Sequence, residues 1–141
     1  MENIKMYFKE IGAEYTLNTI DENTLIEIER DEKIEFGTEL KQYILEYGYL
    51  AYKHIELYGI NSKQVKDSDM IKQTIYLHKY YPKTASYIAL AKLGEDSYAL
   101  VDKNDMVYDY DSELDNIVST EMNVFGYIKN LFATISYNQE R

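Results

Sequence analysis

The chain has 141 residues, the usual size of one domain, and a domain of that length buries roughly 70% of the surface its unfolded form exposes. Hydrophobic residues make up 45% of it and charged residues 28%, a globular composition that excludes a disordered tail or stalk. With 25 acidic residues against 15 basic ones the formal charge is −10, so binding to a nucleic-acid backbone would begin with repulsion and a basic partner is the natural complement, although the same charge also serves plain solubility.

Ile4, Phe8 and Ile11, with Tyr7 beside them, recur at helical spacing and predict a short first helix ending at Gly12. Asp21 is a good N-cap with Glu22 in the first turn. It predicts a second helix to about Arg30, with Leu25, Ile28 and Ile26 inward, closed by Asp31-Glu32-Lys33. Thr38 reads as the cap of a third helix, whose Leu40, Tyr43, Ile44 and Tyr47 fall at i, i+3, i+4 and i+7 before Gly48 supplies a left-handed stop. The aromatic and branched stretch from Tyr49 to Tyr58, closed by Gly59, predicts a strand.

Ser68 predicts the cap of a helix carrying Met70, Ile71, Ile75, Leu77 and His78, which must finish before Pro82 because the residue before a proline avoids the helical region. Ser86 to Leu93, Ser97 to Asp102 and Met106 to Tyr110 are strand-like runs separated by Gly94-Glu95-Asp96 and Lys103-Asn104-Asp105, the pattern of an antiparallel meander. Val124, Phe125, Ile128, Leu131, Phe132 and Ile135 form the stripe of a C-terminal amphipathic helix. The expected architecture is a single α+β domain over residues 1–141, an antiparallel β-meander packed with N-terminal helices and a C-terminal helix, covered mainly on one face.

No stretch approaches the roughly 18 consecutive apolar residues of a membrane helix, and Met1-Glu2-Asn3-Ile4-Lys5 lacks the form of a signal peptide, so a cytoplasmic protein with no membrane partner is expected. The absence of cysteine excludes disulfides and thiolate nucleophiles. Sixteen tyrosines against four phenylalanines and no tryptophan suit the rim of a small core and equally the centre of a protein interface.

Several segments together resemble the SUKH superfamily, which includes the yeast cell-wall regulators of the Smi and Knr type and many bacterial proteins. They are Thr19 to Glu29 with Ile34 to Gly48, then Ile55-Glu56-Leu57-Tyr58-Gly59, then Tyr87 to Ala91, Gly94 to Asp102 and Asp105 to Asp111, and lastly the helix with Phe125 and Phe132. They span roughly residues 19–132, and their order carries the specificity. The chain departs from the family pattern at Phe36-Gly37, where Leu-Pro is usual, and at Gly48-Tyr49, where a glycine pair is common. The resemblance implies an immunity protein that binds a cognate toxin domain, often a nuclease, and neutralises it by occlusion; the alternative it leaves is a regulatory or scaffold module without a toxin partner. It supplies no catalytic motif and no cofactor, and it does not fix the binding surface.

Residues 95–115 hold Glu95, Asp96, Asp102, Asp105, Asp109, Asp111, Glu113 and Asp115 against only Lys103, a local net of −7. This predicts an acidic edge built from the meander turns, suited to the basic groove of a nuclease. The competing reading is a set of solvated turns in which Asp and Asn stabilise turn geometry. Tyr80, Tyr81, Tyr108 and Tyr110, at turns or on the charged segment, are the preferred interface anchors among the wider tyrosine runs. Asp109-Tyr110-Asp111 has the form of an Asp-x-Asp metal motif, but no phosphate loop, His-Glu-x-x-His helix or calcium-loop spacing accompanies it. A small metal-dependent hydrolase is therefore the third reading. His54 and His78 have no partner in sequence, and no enzyme is expected.

Overall fold

Helix starts and stops follow from single residues in the computed structural model, which describes residues 2–17, 20–60 and 69–140. The first helix, α1 (Glu2–Ile11), ends where Gly12 takes a left-handed φ of +77°, a conformation with no Cβ penalty for glycine. Ile4 and Phe8 lie one turn apart on its buried face. Asp21 caps α2 (Glu22–Glu32), its carboxylate accepting the Thr24 N–H and the Thr24 hydroxyl, each at 2.9 Å. This helix continues past Arg30 until Lys33, at φ +55°, donates its N–H to the Glu29 carbonyl. Leu25 and Ile28 point inward as expected; Ile26 is exposed, because it lies about 100° round the helix from Leu25.

Two expectations about α3 (Thr38–Glu46) are corrected. Thr38 is its first residue rather than its cap. Gly37 holds the cap position and offers no side chain, and the free N–H groups of Glu39 and Leu40 donate instead to the Asp105 carboxylate, at 3.0 and 2.9 Å. A Cβ on Gly37 would overlap that carboxylate, so glycine is what admits it. Gly48 is not a left-handed stop either. Tyr47 is already extended, with φ −121°, and opens β2 (Tyr47–Tyr52), and among the described glycines only Gly12 has a positive φ. Gly48 and Gly59 instead pass so closely that a Cβ on Gly59 would overlap the Gly48 carbonyl.

The stretch from Tyr49 to Tyr58 holds a hairpin rather than one strand. Its second arm, β3 (Ile55–Leu57), follows a turn at Lys53-His54 in which Lys53 takes φ +56°. On the far side of β2 lies β1 (Glu14–Leu17), which no sequence pattern singles out. The expected cap Ser68 falls outside the described residues. The helix that follows, α4 (Asp69–Tyr80), buries Met70, Ile71, Thr74 and Leu77, turns Ile75 outward and stops before Pro82, where a short 3-10 turn covers Pro82–Thr84.

The three predicted meander strands are β4 (Ile88–Lys92), β5 (Ser97–Val101) and β6 (Met106–Asp111). A fourth, β7 (Asn116–Asn123), extends the meander and leads directly into α5 (Val124–Glu140). The seven strands lie side by side in chain order, each antiparallel to the next.

Alternation along β5 sorts the core into two parts. Ala99 and Val101 join the main cluster with residues of α1, α2, α3 and α5, whereas Tyr98 and Leu100 face Leu77 of α4, together with Ala89 and Tyr110. The sheet is thus covered mainly on one face, with Leu77 of α4 closing a smaller cluster over the other while Met70 and Ile71, at the start of α4, join the main one. In the main core Phe8 meets Tyr47 and Phe132 edge-on, at 5.7 and 5.8 Å between ring centroids, locking α1 and α5 over β2. The register of β4 against β5 shifts between Ala89 and Ala91, and there the Ala89 N–H donates to the buried Thr74 hydroxyl at 2.9 Å, so α4 satisfies a donor where the ladder is irregular.

Candidate functional site

Antiparallel hairpins reverse direction at every turn, so consecutive turns fall at opposite ends of the sheet. The eight carboxylates that are contiguous in sequence therefore do not form one edge. Glu95 and Asp96, in the β4–β5 turn, share one end with Asp111, Glu113 and Asp115 of the β6–β7 turn. The two turns touch, the Ser112 N–H donating to the Asp96 carbonyl at 2.8 Å. Asp102 and Asp105 lie at the opposite end, and Asp109 sits midway along β6 beside α5.

Most of these carboxylates do structural work. Asp102 accepts the N–H groups of Asn104 (2.8 Å) and Met106 (3.0 Å) and the Tyr108 hydroxyl (3.0 Å), which closes its turn. Asp105 caps α3. Asp111 accepts the N–H groups of Glu113 (2.9 Å) and Leu114 (3.1 Å). Asp115 accepts the Tyr110 hydroxyl at 2.7 Å and pairs with Lys83 at 3.8 Å. The Tyr127 hydroxyl donates to Asp109 at 3.5 Å, yet partial burial beside α5 holds that carboxyl above the ordinary carboxylate range. Glu95, Asp96 and Glu113 remain turned to solvent.

The tyrosines divide likewise. Tyr110 is 1% exposed and belongs to the smaller core, with its hydroxyl given to Asp115 and its ionisation pushed up by burial. Tyr110 is therefore a core residue and not the surface anchor expected from its position. Tyr108 is half-buried edge-on against Tyr87, 5.1 Å between ring centroids, and committed to Asp102. Tyr80 is 57% exposed, and Tyr81 is half-buried with its ring 5.9 Å from Tyr110. Tyr76, outside the preferred anchors, is 43% exposed and stands 5.0 Å from Tyr80, one helical turn away. Helical spacing could have found it, since 76 and 80 share a face of α4.

At one end of the sheet the structure therefore assembles Tyr76 and Tyr80, the Tyr81–Tyr110 contact, and the two acidic turns. Lys79 lies over the Tyr80 ring at 5.3 Å and Lys92 over Tyr98 at 5.6 Å, so the cations nearest the tyrosines rest on aromatic faces. The result is an amphipathic surface of rings bordered by carboxylates, which fits recognition of a protein.

At the other end a cleft of about 390 Å³ is lined by Glu29, Lys33, Glu35, Tyr87 and Lys103, among others. Glu29 is already used, accepting the Phe36 N–H at 3.0 Å and facing Lys41 at 3.7 Å. Asp109 and Asp111 do not act as a pair, since one faces Tyr127 and the other its own turn. Among the described residues no group of three or more histidine or carboxylate side chains converges in a way that would hold a metal ion. His78 offers Nε2 to the Tyr87 carbonyl at 2.7 Å, a contact that joins α4 to the segment entering β4. Among the described residues no helix is long and apolar enough to cross a membrane.

No curated protein matches the chain. A family model described as SMI1-KNR4 cell-wall, of the SUKH group, matches residues 1–133, which takes in every strand and most of α5. The chain belongs to the SUKH, or SMI1-KNR4, family.

Proposed function

We propose that this chain is an immunity protein that binds a cognate toxin domain, a nuclease with a basic active-site groove, and neutralises it by occlusion in the cytoplasm of the producing cell. The observation that carries this reading is the exposed Tyr76–Tyr80 pair, placed at the same end of the sheet as the solvent-facing Glu95, Asp96 and Glu113. Tyrosine anchors supply apolar contact and a hydroxyl at low entropic cost. Carboxylates around them steer a basic partner and discourage other acidic surfaces. No bond is made or broken by this protein in that role. It covers the groove, and the substrate cannot enter.

Titration calorimetry against the C-terminal domain of the protein encoded immediately upstream, at two salt concentrations, tests the proposal. Nanomolar or tighter binding that weakens as salt rises is expected, with the loss mainly in the association rate. Absence of binding would reject the immunity role. A second reading, a regulatory scaffold of the same fold, is favoured by the cell-wall description of the family. It predicts that no gene for a large secreted protein with a C-terminal toxin domain lies beside this one.

A further inference from the structure

β7 is the last strand of the sheet, and the phase of the ladder decides which of its backbone groups face outward. The Ser112 N–H donates to the Asp96 carbonyl at 2.8 Å and the Asp102 N–H to the Met106 carbonyl at 3.0 Å, one pair at each end of β5–β6. Bonded pairs recur at every second residue of an antiparallel ladder. Tyr108 and Tyr110 therefore turn their backbone groups toward β5, and Asp109 and Asp111 turn theirs toward β7. The residues opposite these two, Val118 and Asn116, face inward. Ile117 and Ser119 are left to present N–H and C=O along the outer edge.

Left-handed residues bound this edge, Asp115 at φ +54° and Glu121 at φ +60°. Between them Asn116–Thr120 runs for about 17 Å at ~3.4 Å per residue. Edge strands are commonly blunted by lysine, proline or inward charge, and these five residues contain none of those. Val118 is 53% exposed, and Leu114, in the preceding turn, is 73% exposed. The surroundings are mainly acidic: Asp105, Asp109, Asp111, Glu113, Asp115 and Glu121 are the charged residues from Asn104 to Ile128, and Lys83 reaches them from the 3-10 turn to pair with Asp115 at 3.8 Å.

We propose that the outer edge of β7 is a docking strand for an extended segment of a protein partner, one that carries lysine or arginine beside an apolar residue. This rests on the reading that the chain binds a toxin domain, and it assigns how part of that domain is held. Strand addition supplies backbone hydrogen bonds at Ile117 and Ser119, Val118 supplies apolar contact, and the carboxylates of β6 and the adjoining turn select cationic side chains. A second copy of the chain fits poorly. Two-fold antiparallel pairing about Val118 sets Asp115 of one copy opposite Glu121 of the other, twice.

Hydrogen exchange of the full chain, alone and with the upstream-encoded C-terminal domain, reads the edge directly. The amides of Ile117 and Ser119 should slow about tenfold or more in the complex. Ser119→Pro removes an outward N–H and spares the inner ladder. Since it also removes the hydroxyl that accepts the Glu121 N–H at 3.1 Å, it is compared with Ser119→Ala, which loses only the hydroxyl. The proline variant should bind at least about tenfold more weakly than the alanine one. If that variant does not fold, Val118→Lys places a cation in the path of the incoming one and should weaken binding similarly. Tight binding with unchanged exchange at Ile117 and Ser119 overturns the edge and leaves the immunity reading standing. If the upstream domain does not bind, a synthetic peptide alternating lysine and valine, with a glutamate–valine counterpart, tests the edge by itself. Protection by the lysine peptide alone supports it, and protection by neither overturns it, as does protection that rises with the concentration of the chain alone.

Discussion

Helix α3 is capped from another part of the chain, and a double-mutant cycle at Gly37 and Asp105 tests that link. The Asp105 carboxylate receives two N–H groups from the first turn of α3, at 3.0 and 2.9 Å. Each contributes about 1 kcal/mol, since the acceptor is charged and lies at a helix N-terminus. Asp105 itself sits at φ +68°, where alanine adds about 1 kcal/mol of strain. Asp105→Ala should therefore lose about 3 kcal/mol, and Asp105→Gly, which relieves the strain, about 2 kcal/mol. At about 3–4 °C per kcal/mol for a chain of this length, the alanine variant melts about 10 °C lower.

Gly37→Ala has an ordinary backbone requirement, with φ −71° and ψ 169°, so its only penalty is the collision between the new Cβ and the carboxylate. To avoid it the carboxylate must leave the two N–H groups, at a loss of about 2 kcal/mol in the wild-type background. In the Asp105→Gly background there is nothing to displace and the same substitution should be nearly neutral. Urea unfolding of the four proteins should give a coupling of about 2 kcal/mol. Additive effects, or a full-stability Asp105→Ala, would refute capping across the fold.

Tyr76→Ala and Tyr80→Ala should each weaken binding to the upstream-encoded domain at least about tenfold by calorimetry, because truncated aromatic anchors commonly lose more than 1.4 kcal/mol, and unfolding temperature should change little since neither residue belongs to the buried core. Asp109 is raised by burial, so the folded state holds its proton more tightly than the unfolded chain, and stability falls as pH rises from the ordinary carboxylate value of about 4 through the folded value. Asp109→Asn should consequently be more stable than wild type at pH 7 in thermal melts and equal to it below about pH 3; a less stable variant at pH 7 would contradict the sign. Tyr58 is pushed up to about 12, and Tyr43 is raised further, both chiefly by burial. Their contribution is complete below the unfolded tyrosine value of about 10 and is lost as pH rises through the folded values, so circular dichroism should show cooperative alkaline unfolding above pH ~10.

Periodic burial made the sequence legible where it occurs. The stripe from Val124 to Ile135, the Asp21 cap and the Pro82 stop are local, and each appears where the spacing places it. β7 carries no such signal, because its side chains are mostly exposed and it has no apolar alternation to read. β1 is four residues long and open to solvent on the outer edge of β2. Gly48 misleads because glycine serves both left-handed turns and close backbone approach, and only the position of Gly59 shows which. The Asp105 cap spans 66 residues to Glu39, and no window of sequence contains both halves. The acidic cluster failed as a single edge for a topological reason: adjacent turns of a meander point in opposite directions.

That same topology separates the scaffold from the surface proposed for recognition. At one end, Asp105 reaches α3, and Glu39 on the first turn of α3 accepts the Phe125 N–H of α5 at 2.6 Å, so one turn, two helices and their free N–H groups are joined in sequence. Substitution there must propagate into α3 and α5 and the core between them. At the other end Asp111 closes its own turn, Asp115 holds Tyr110 and Lys83, and Asp96 accepts the Ser112 hydroxyl from the neighbouring turn, whereas Glu95, Glu113, Tyr76 and Tyr80 hold no backbone group in place. Residues free of structural duty can change without unfolding the domain. A protein that must match one particular partner needs such a surface, and the one proposed lies away from the caps that set the fold.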